Sequence, residues 1–352
     1  MNSKLGGIAG IFRRVRQVRE TGLLFVLILL GIVLSFLTPV FFTGENFLNI
    51  LKQVTLVTIV ACGQTFVLTS GGIDLSVGGI LGLSSIIMAW TINHGMNTPG
   101  AIAVCLLFGT IVGISNGFLI TRLRLPPFII TLGMASIAKG FVLVITKGYA
   151  IMLDNPFVIA LGQNSWGIFP IMVIFLPIVV ISAHWVYNYT IFGNRVKSIG
   201  GNETASRLSG INVKKNKILT YALCGFLCGL AGLIITGRLN SGNPNAGTNF
   251  DMDSIAAVIV GGTALSGGSG TIIGTMLGAL LMGVIRNGLV LLGVNMYWQT
   301  VATGAIIIVV CALDSLSQRK GDAHARRSPG HEKYLHDFSR RQGPFRGDNF
   351  PE

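Results

Sequence analysis

Residues 193–217 read GNRVKSIGGNETASRLSGINVKKNK, a long polar interruption between two blocks of almost unbroken apolar sequence. The stretch carries Arg195, Lys197, Arg207, Lys214, Lys215 and Lys217 against a single acid, Glu203. Inside it the spacing predicts a very short helix. Asn202 can accept from the free N–H groups of a first turn, and Glu203 suits the positive end of the helix dipole. Ala205 and Leu208 fall on one face, and Gly210 ends the run with a residue that tolerates a left-handed backbone. Two turns of helix are not stable alone in water, so this element needs a partner.

The blocks on either side set the class of the molecule. Of 352 residues, 51% are hydrophobic and 11% charged, and the mean hydropathy is +0.69. A soluble domain carries roughly 25% charged residues. With 47 glycines in so apolar a chain, close-packed membrane helices are expected rather than a soluble core. The net charge of +13 would suit a nucleic-acid binder if it were spread over one face. Instead, most basic residues lie in 2–19, 121–125, 193–217 and 317–352, the segments that an alternating topology places on one side of the membrane. That is the positive-inside pattern, and it excludes nucleic acid as the partner. The N-terminal apolar run 22–40 is long enough to span and lacks a small-residue cleavage site, so it is a retained first helix. Cys62, Cys105, Cys224, Cys228 and Cys311 all sit in apolar runs, as packing residues rather than a disulfide framework.

Apolar runs predict about ten spans, at 21–41, 50–69, 76–93, 99–121, 127–146, 167–188, 218–238, 253–266, 270–292 and 296–314. The eighth is too short for an unbroken crossing of about 20 residues; it is a half-helix or extends beyond those limits. The expectation is an all-α integral membrane protein with some helices broken. A basic segment, 1–20, precedes the transmembrane domain 21–316, and a hydrophilic tail, 317–352, follows it with too little apolar surface for a domain. Both termini share the side of the central loop, 193–217. The opposite side holds Glu45, Asp154, Asp251 and Asp253, and the turn-rich loop NSGNPNAGTNFDMD (240–253) is expected there as an outer, ordered-to-flexible connection.

One motif recurs. GGIDLSVG (71–78) and GGTALSGG (261–268) follow the pattern G-G-x-x-L-S-x-G, each between a helix and a Gly-rich helix. Gly-interrupted segments at matching positions point to an internal repeat with a translocation path at its interface; the span count makes the repeats parallel. Asp74 and Ser76 in the first motif and Ser266 in the second are therefore path candidates, although Asp74 suits a cap for the following helix better than the path. Uncharged polar residues in the spans, Gln64, Thr65 and Asn116 above all, suit a neutral, hydroxyl-rich solute or else hold helices together. Lys139 is a snorkelling or packing residue. Arg286 and Asn287 lie deep in the ninth span, where charge faces protein or water. There is no G-x-x-x-x-G-K-[ST] loop for ATP, no nucleophile–base pair and no metal-ligand spacing.

These segments resemble the membrane permease subunits of ribose/galactose/xylose-type ABC sugar importers. The likeness is carried by TSGGIDLSVG (69–78), LPPFIITLGMASIAKG (125–140), IGGNETASRLSGINV (199–213), DSIAAVIVGGTALSGGSGTIIG (253–274) and GVNMYWQTVATGAIIIVVCALDS (293–315), in the family's order. The resemblance implies a multi-pass subunit of the bacterial inner membrane with cytoplasmic termini. It also implies a separate cytoplasmic ATPase that binds ATP and Mg, a periplasmic sugar-binding protein, and a second permease chain. It identifies 199–213 as the coupling segment, with Gly201, Asn202, Glu203, Ala205, Arg207, Leu208, Gly210 and Ile211 as the ATPase contact. It assigns sugar contact to neither copy of the repeated motif, and nothing to the tail. The coupling-like segment, the missing ATP loop and the neutral polar helix faces favour the permease of an ATP-driven monosaccharide importer; the alternatives are a self-sufficient secondary carrier or channel for a small neutral polar solute, or a scaffold that transports nothing.

Overall fold

The computed structural model of the chain describes residues 19–326. Thirteen helices are described, and each of the ten expected spans coincides with one. They are α1 (Arg19–Leu37), α2 (Gly44–Thr69), α3 (Val77–Asn93), α4 (Thr98–Leu123), α5 (Pro127–Thr146), α7 (Ile171–Tyr189), α10 (Val213–Leu239), α11 (Phe250–Val260), α12 (Ile272–Leu291) and α13 (Met296–Arg326). Seven of these (α1, α2, α4, α5, α7, α10 and α12) are long and apolar enough to cross a bilayer. Among the described residues, those up to Ile307 form one compact unit and those from Ile308 a second. Helix α13 runs to Arg326, past the start of the expected tail at Ser317. The rest of that tail, and nearly all of the basic segment 1–20, lie outside the described residues.

The core of the first unit is built on α2 and α10. From Val54 to Thr69 every residue of α2 is buried except Val57, which is why this span shows no apolar stripe but apolar and small polar residues all round. Helix α10 crosses α4 on glycine. A Cβ at Gly113 would run into the Tyr221 carbonyl, and one at Gly225 into that of Gly109. Close approach of this kind replaces the hydrophobic drive that helices lack in lipid. The Gly274-x3-Gly278 pair of α12 meets Ala257 and Gly261 at the end of α11 in the same way.

Three expectations are changed or narrowed. Two helices occupy regions read as loop: α6 (Pro156–Gln163), capped by Asn155 with proline at its start, and α8 (Ile191–Gly201), capped by Thr190. The eighth span is a half-helix: α11 has 11 residues, about 16 Å at 1.5 Å per residue, roughly half the hydrocarbon thickness. The third change concerns 240–253, which is only in part a loop at the end of the bundle: some of it is buried, and its last residues open α11. Ser241, Gly242, Ala246 and Gly247 are buried, and Ser241–Gly242 (β4) pairs antiparallel with Ile151–Met152 (β1). A second short pair joins β2 (Ser165–Trp166) and β3 (Phe169–Pro170). Beyond β4 the chain descends along α3, where Gly247 abuts Gly78 so closely that a Cβ on Gly247 would meet the Gly78 carbonyl. Turn-forming residues suggested exposure; their small size instead lets this backbone run inside the bundle.

Candidate functional site

The polar interruption folds as α8 followed by α9 (Glu203–Leu208). Asn202 Oδ1 accepts from the Ala205 N–H at 2.9 Å and caps α9. At the other end Gly210 takes φ +80°, and the Ile211 N–H donates to the Ser206 carbonyl at 3.0 Å, a glycine-terminated stop. Glu203 accepts from Arg207 Nη2 and from Lys217 Nζ, each at 2.8 Å. The bond from Lys217, with the field of both cations, holds the Glu203 carboxyl below the usual carboxylate range against the opposing effect of burial. Within α9 only Ser206 is buried; Ala205 and Arg207 are exposed and Leu208 is 85% exposed. Gly201, Asn202 and Gly210 are exposed and Ile211 half-buried. The helix is thus pinned at its start while its apolar end stands free.

Helix α8 reaches the core through main chain. A Cβ at Gly200 would run into the Thr69 carbonyl and lie 2.5 Å from the Gly268 amide nitrogen. That same Gly268 N–H donates to Thr69 O at 2.9 Å. Gly71, Gly267 and Gly268 adopt φ of +76°, +87° and +82°, a region open to glycine without steric cost. The end of α2, the loop after α11 and the end of α8 therefore meet at one glycine junction. Beside it the Tyr187 hydroxyl lies 3.1 Å from Thr69 Oγ1. Lys197 Nζ sits 4.2 Å over the Tyr187 ring and donates to Asn188 Oδ1 at 3.1 Å.

Four of the six path candidates converge behind the break between α2 and α3. Asp74 Oδ1 accepts from both the N–H and the hydroxyl of Ser76, and Asn116 Nδ2 donates to Ser76 Oγ at 2.8 Å. Gln64 Nε2 donates to the Asp74 carbonyl at 3.1 Å, while Thr131 and Tyr221 hydroxyls donate to that of Ile73, each at 3.3 Å. An irregular segment inside a membrane bundle requires such partners for its freed carbonyls. Gln64, Asp74, Ser76 and Asn116 are fully buried; Asp74 Oδ2 and Asn116 Oδ1 have no hydrogen-bond partner among the described residues. Thr65 is equally buried but elsewhere, its hydroxyl 2.7 Å from that of Thr275. Ser266 is exposed and does not join them.

The two copies of the repeated motif share a helix stop rather than a side-chain site. Gly72 N–H donates to Val67 O at 3.0 Å and Thr263 N–H to Val258 O at 3.1 Å, with Gly71 and Gly262 both at positive φ. The structural match is therefore one residue out of the sequence register. Both stops lie at the same end of the bundle, joined by the bond from Gly268 to Thr69.

Two pairs lie outside the sequence reading, one half-buried and one buried. Arg286 donates twice to Asp253, at 2.7 and 3.2 Å. This places Asp253, expected in an outer loop, in α11 against α12. Asn46 and Asn287 exchange reciprocal amide bonds of 3.0 and 2.7 Å. Arg286 and Asn287 were suspect by depth alone; no local spacing could name partners so remote in sequence. Among the described residues no group of three His, Cys, Asp or Glu could hold a metal ion.

A helical bundle whose described residues include seven helices long and apolar enough to span a bilayer, with buried breaks and a short helix on a polar segment, is a multi-pass membrane protein. Residues 46–311 match the model of a family described as a branched-chain amino acid transport system/permease component. The chain is 39% identical to the ribose import permease protein RbsC of Escherichia coli K12 over 313 residues, 87% of this chain and 97% of that one. It is 41% identical to RbsC of Bacillus subtilis 168 over 297 residues, 82% of this chain and 90% of that one. With the fructose import permease protein FrcC of Rhizobium meliloti the identity is 37% over 298 residues, 82% of each. No solved structure matches it significantly. The chain belongs to this family of membrane permease components of import systems, and is a transport subunit rather than an enzyme.

Proposed function

We propose that the chain forms the membrane path of an ATP-driven importer for a monosaccharide. Its partners would be a cytoplasmic ATPase that carries ATP and Mg, a sugar-binding protein outside the membrane, and a second permease chain. The observation that carries the reading is α9. It is pinned by Glu203 and capped by Asn202, yet Leu208 is 85% exposed, as an element awaiting a groove in a partner would be. Residues 201–211 form that contact, and both termini face the cytoplasm of a bacterial inner membrane. Closure of the ATPase pushes α9 and α8, and the glycine junction passes the displacement to the ends of α2 and α11. Gln64, Thr65, Asp74, Ser76 and Asn116, all buried, would meet the solute only as the breaks open, whereas Ser266, already exposed, would meet it without that opening.

The sugar is favoured over an amino acid by the names of the relatives, each matched over most of both chains. Reconstitution with the ATPase and binding protein in proteoliposomes tests this: D-ribose, D-fructose or D-galactose should enter only with ATP. Uptake of leucine instead would reassign the substrate. Sugar uptake that persists without the ATPase and collapses with an uncoupler would overturn the reading in favour of a secondary carrier.

A further inference from the structure

Lys139 lies in the body of α5, about 10 Å from its nearer end at 1.5 Å per residue, and is exposed. It makes no ion pair or hydrogen bond with the described residues. A cation at such depth faces protein or water, not hydrocarbon. It opens onto a cleft of about 210 Å³ walled by Gly78 and Gly82 of α3 and by the descending segment that includes Asn245 and Thr248. Asn245 and Thr248 are exposed, and neither side chain has a hydrogen-bond partner among the described residues. Three polar side chains without partners among the described residues, from two segments remote in sequence, thus share one open cleft between α3, α5 and the descending segment. The cleft exists because Gly247 seats directly on Gly78, which draws the segment inward and leaves main chain bare on the α3 wall.

We infer that this cleft is a solute-contact site of the translocation path. Lys139 donates to the ring hydroxyls of a neutral monosaccharide, and Asn245 and Thr248 complete the polar wall. The inference rests on the sugar-importer reading and names the place where the path is open in this conformation. An ammonium offers three donors to hydroxyl oxygens without demanding a negative partner, so a neutral polyol is accommodated.

The test uses the complete importer in proteoliposomes with radiolabelled D-ribose, D-fructose and D-galactose. Lys139→Met should lower ATP-dependent uptake about tenfold, the scale of one hydrogen bond to a charged group, while ATP hydrolysis stimulated by the loaded binding protein persists. Lys139→Arg should recover much of the loss. Lys139→Cys, in a Cys311→Ser background, should react with a membrane-impermeant thiol reagent, more slowly when sugar is being transported. Wild-type kinetics for Lys139→Met, or a Lys139→Cys thiol that the aqueous reagent never reaches, overturns the assignment alone. Failure of the unaltered importer to take up any of the three sugars overturns the parent reading and this site with it.

Discussion

Glu203 accepts from Arg207 within its own helix and from Lys217 at the start of the next, so one carboxylate ties α9 to α10. Its side chain is 42% exposed, so screening keeps each bond near the surface value of about 0.2–1 kcal/mol. Glu203→Gln should therefore leave membrane insertion intact and speed amide hydrogen exchange over 203–211 by a few-fold, read by mass spectrometry. The carboxyl is held below its ordinary range, so its contribution is complete above the unfolded-state pKa and fades as pH falls through the lower, folded one. Acidification should reproduce the substitution, and at neutral pH the tie is whole. Asp253–Arg286 is a different case, with Asp253 8% and Arg286 33% exposed at the side chain. Asp253→Asn or Arg286→Met leaves a charge facing nothing, and should cost about 2–4 kcal/mol, below the fully buried figure because Arg286 is partly wet. Exchanging both at once should cost less than either alone, measured as melting temperature in detergent.

Helix existence was legible because each span is a long apolar run, and α9 because its cap, first-turn acid and terminal glycine all lie within ten residues. What escaped had other causes. Helix α6 carries a readable Asn155–Pro156 start, but it is short and was lost in a turn-rich neighbourhood. Helix α8 was absorbed into the polar loop, although Gly193, Val196 and Ile199 are its buried side. The descending segment 240–249 was misplaced because asparagine and glycine serve equally for an exposed turn and for close backbone contact. At the element scale, the crossing of α4 and α10 permits no added volume. Gly113→Ala or Gly225→Ala should lower stability by about 1–3 kcal/mol, the usual scale of overpacking, again as a shift in melting temperature. Gly200→Ala should act differently. It forces α8 away from Thr69 and Gly268, so uptake should fall at least about tenfold while the ATPase remains bound and active.

The arrangement of the first unit separates two ends. At one, α9 and the glycine junction share a face with the stops after α2 and α11. At the other, β1 pairs with β4, and Asn93 and Gln163 side chains donate to the Met152 and Arg238 carbonyls. The charge pattern supports our proposal that the first end faces the cytoplasm. Single cysteines at Ser209 and Ser165 should then be labelled by an impermeant maleimide from opposite faces, Ser209 in inverted vesicles and Ser165 in right-side-out ones. Labelling of both from one side would refute the topology. Charge is where the sequence speaks to sidedness, which the labelling tests; it does not speak to the path, which depends on which small residues touch across the bundle.

The glycine junction also has a genetic meaning. Around Gly200 the nearest atoms are all main chain, from Thr69 and Gly268, so a methyl group introduced there meets no side chain that a second mutation could trim. Revertants of Gly200→Ala should accordingly map away from the contact itself, to residues that set where α8 lies, with Tyr187 and Lys197 the first places to look.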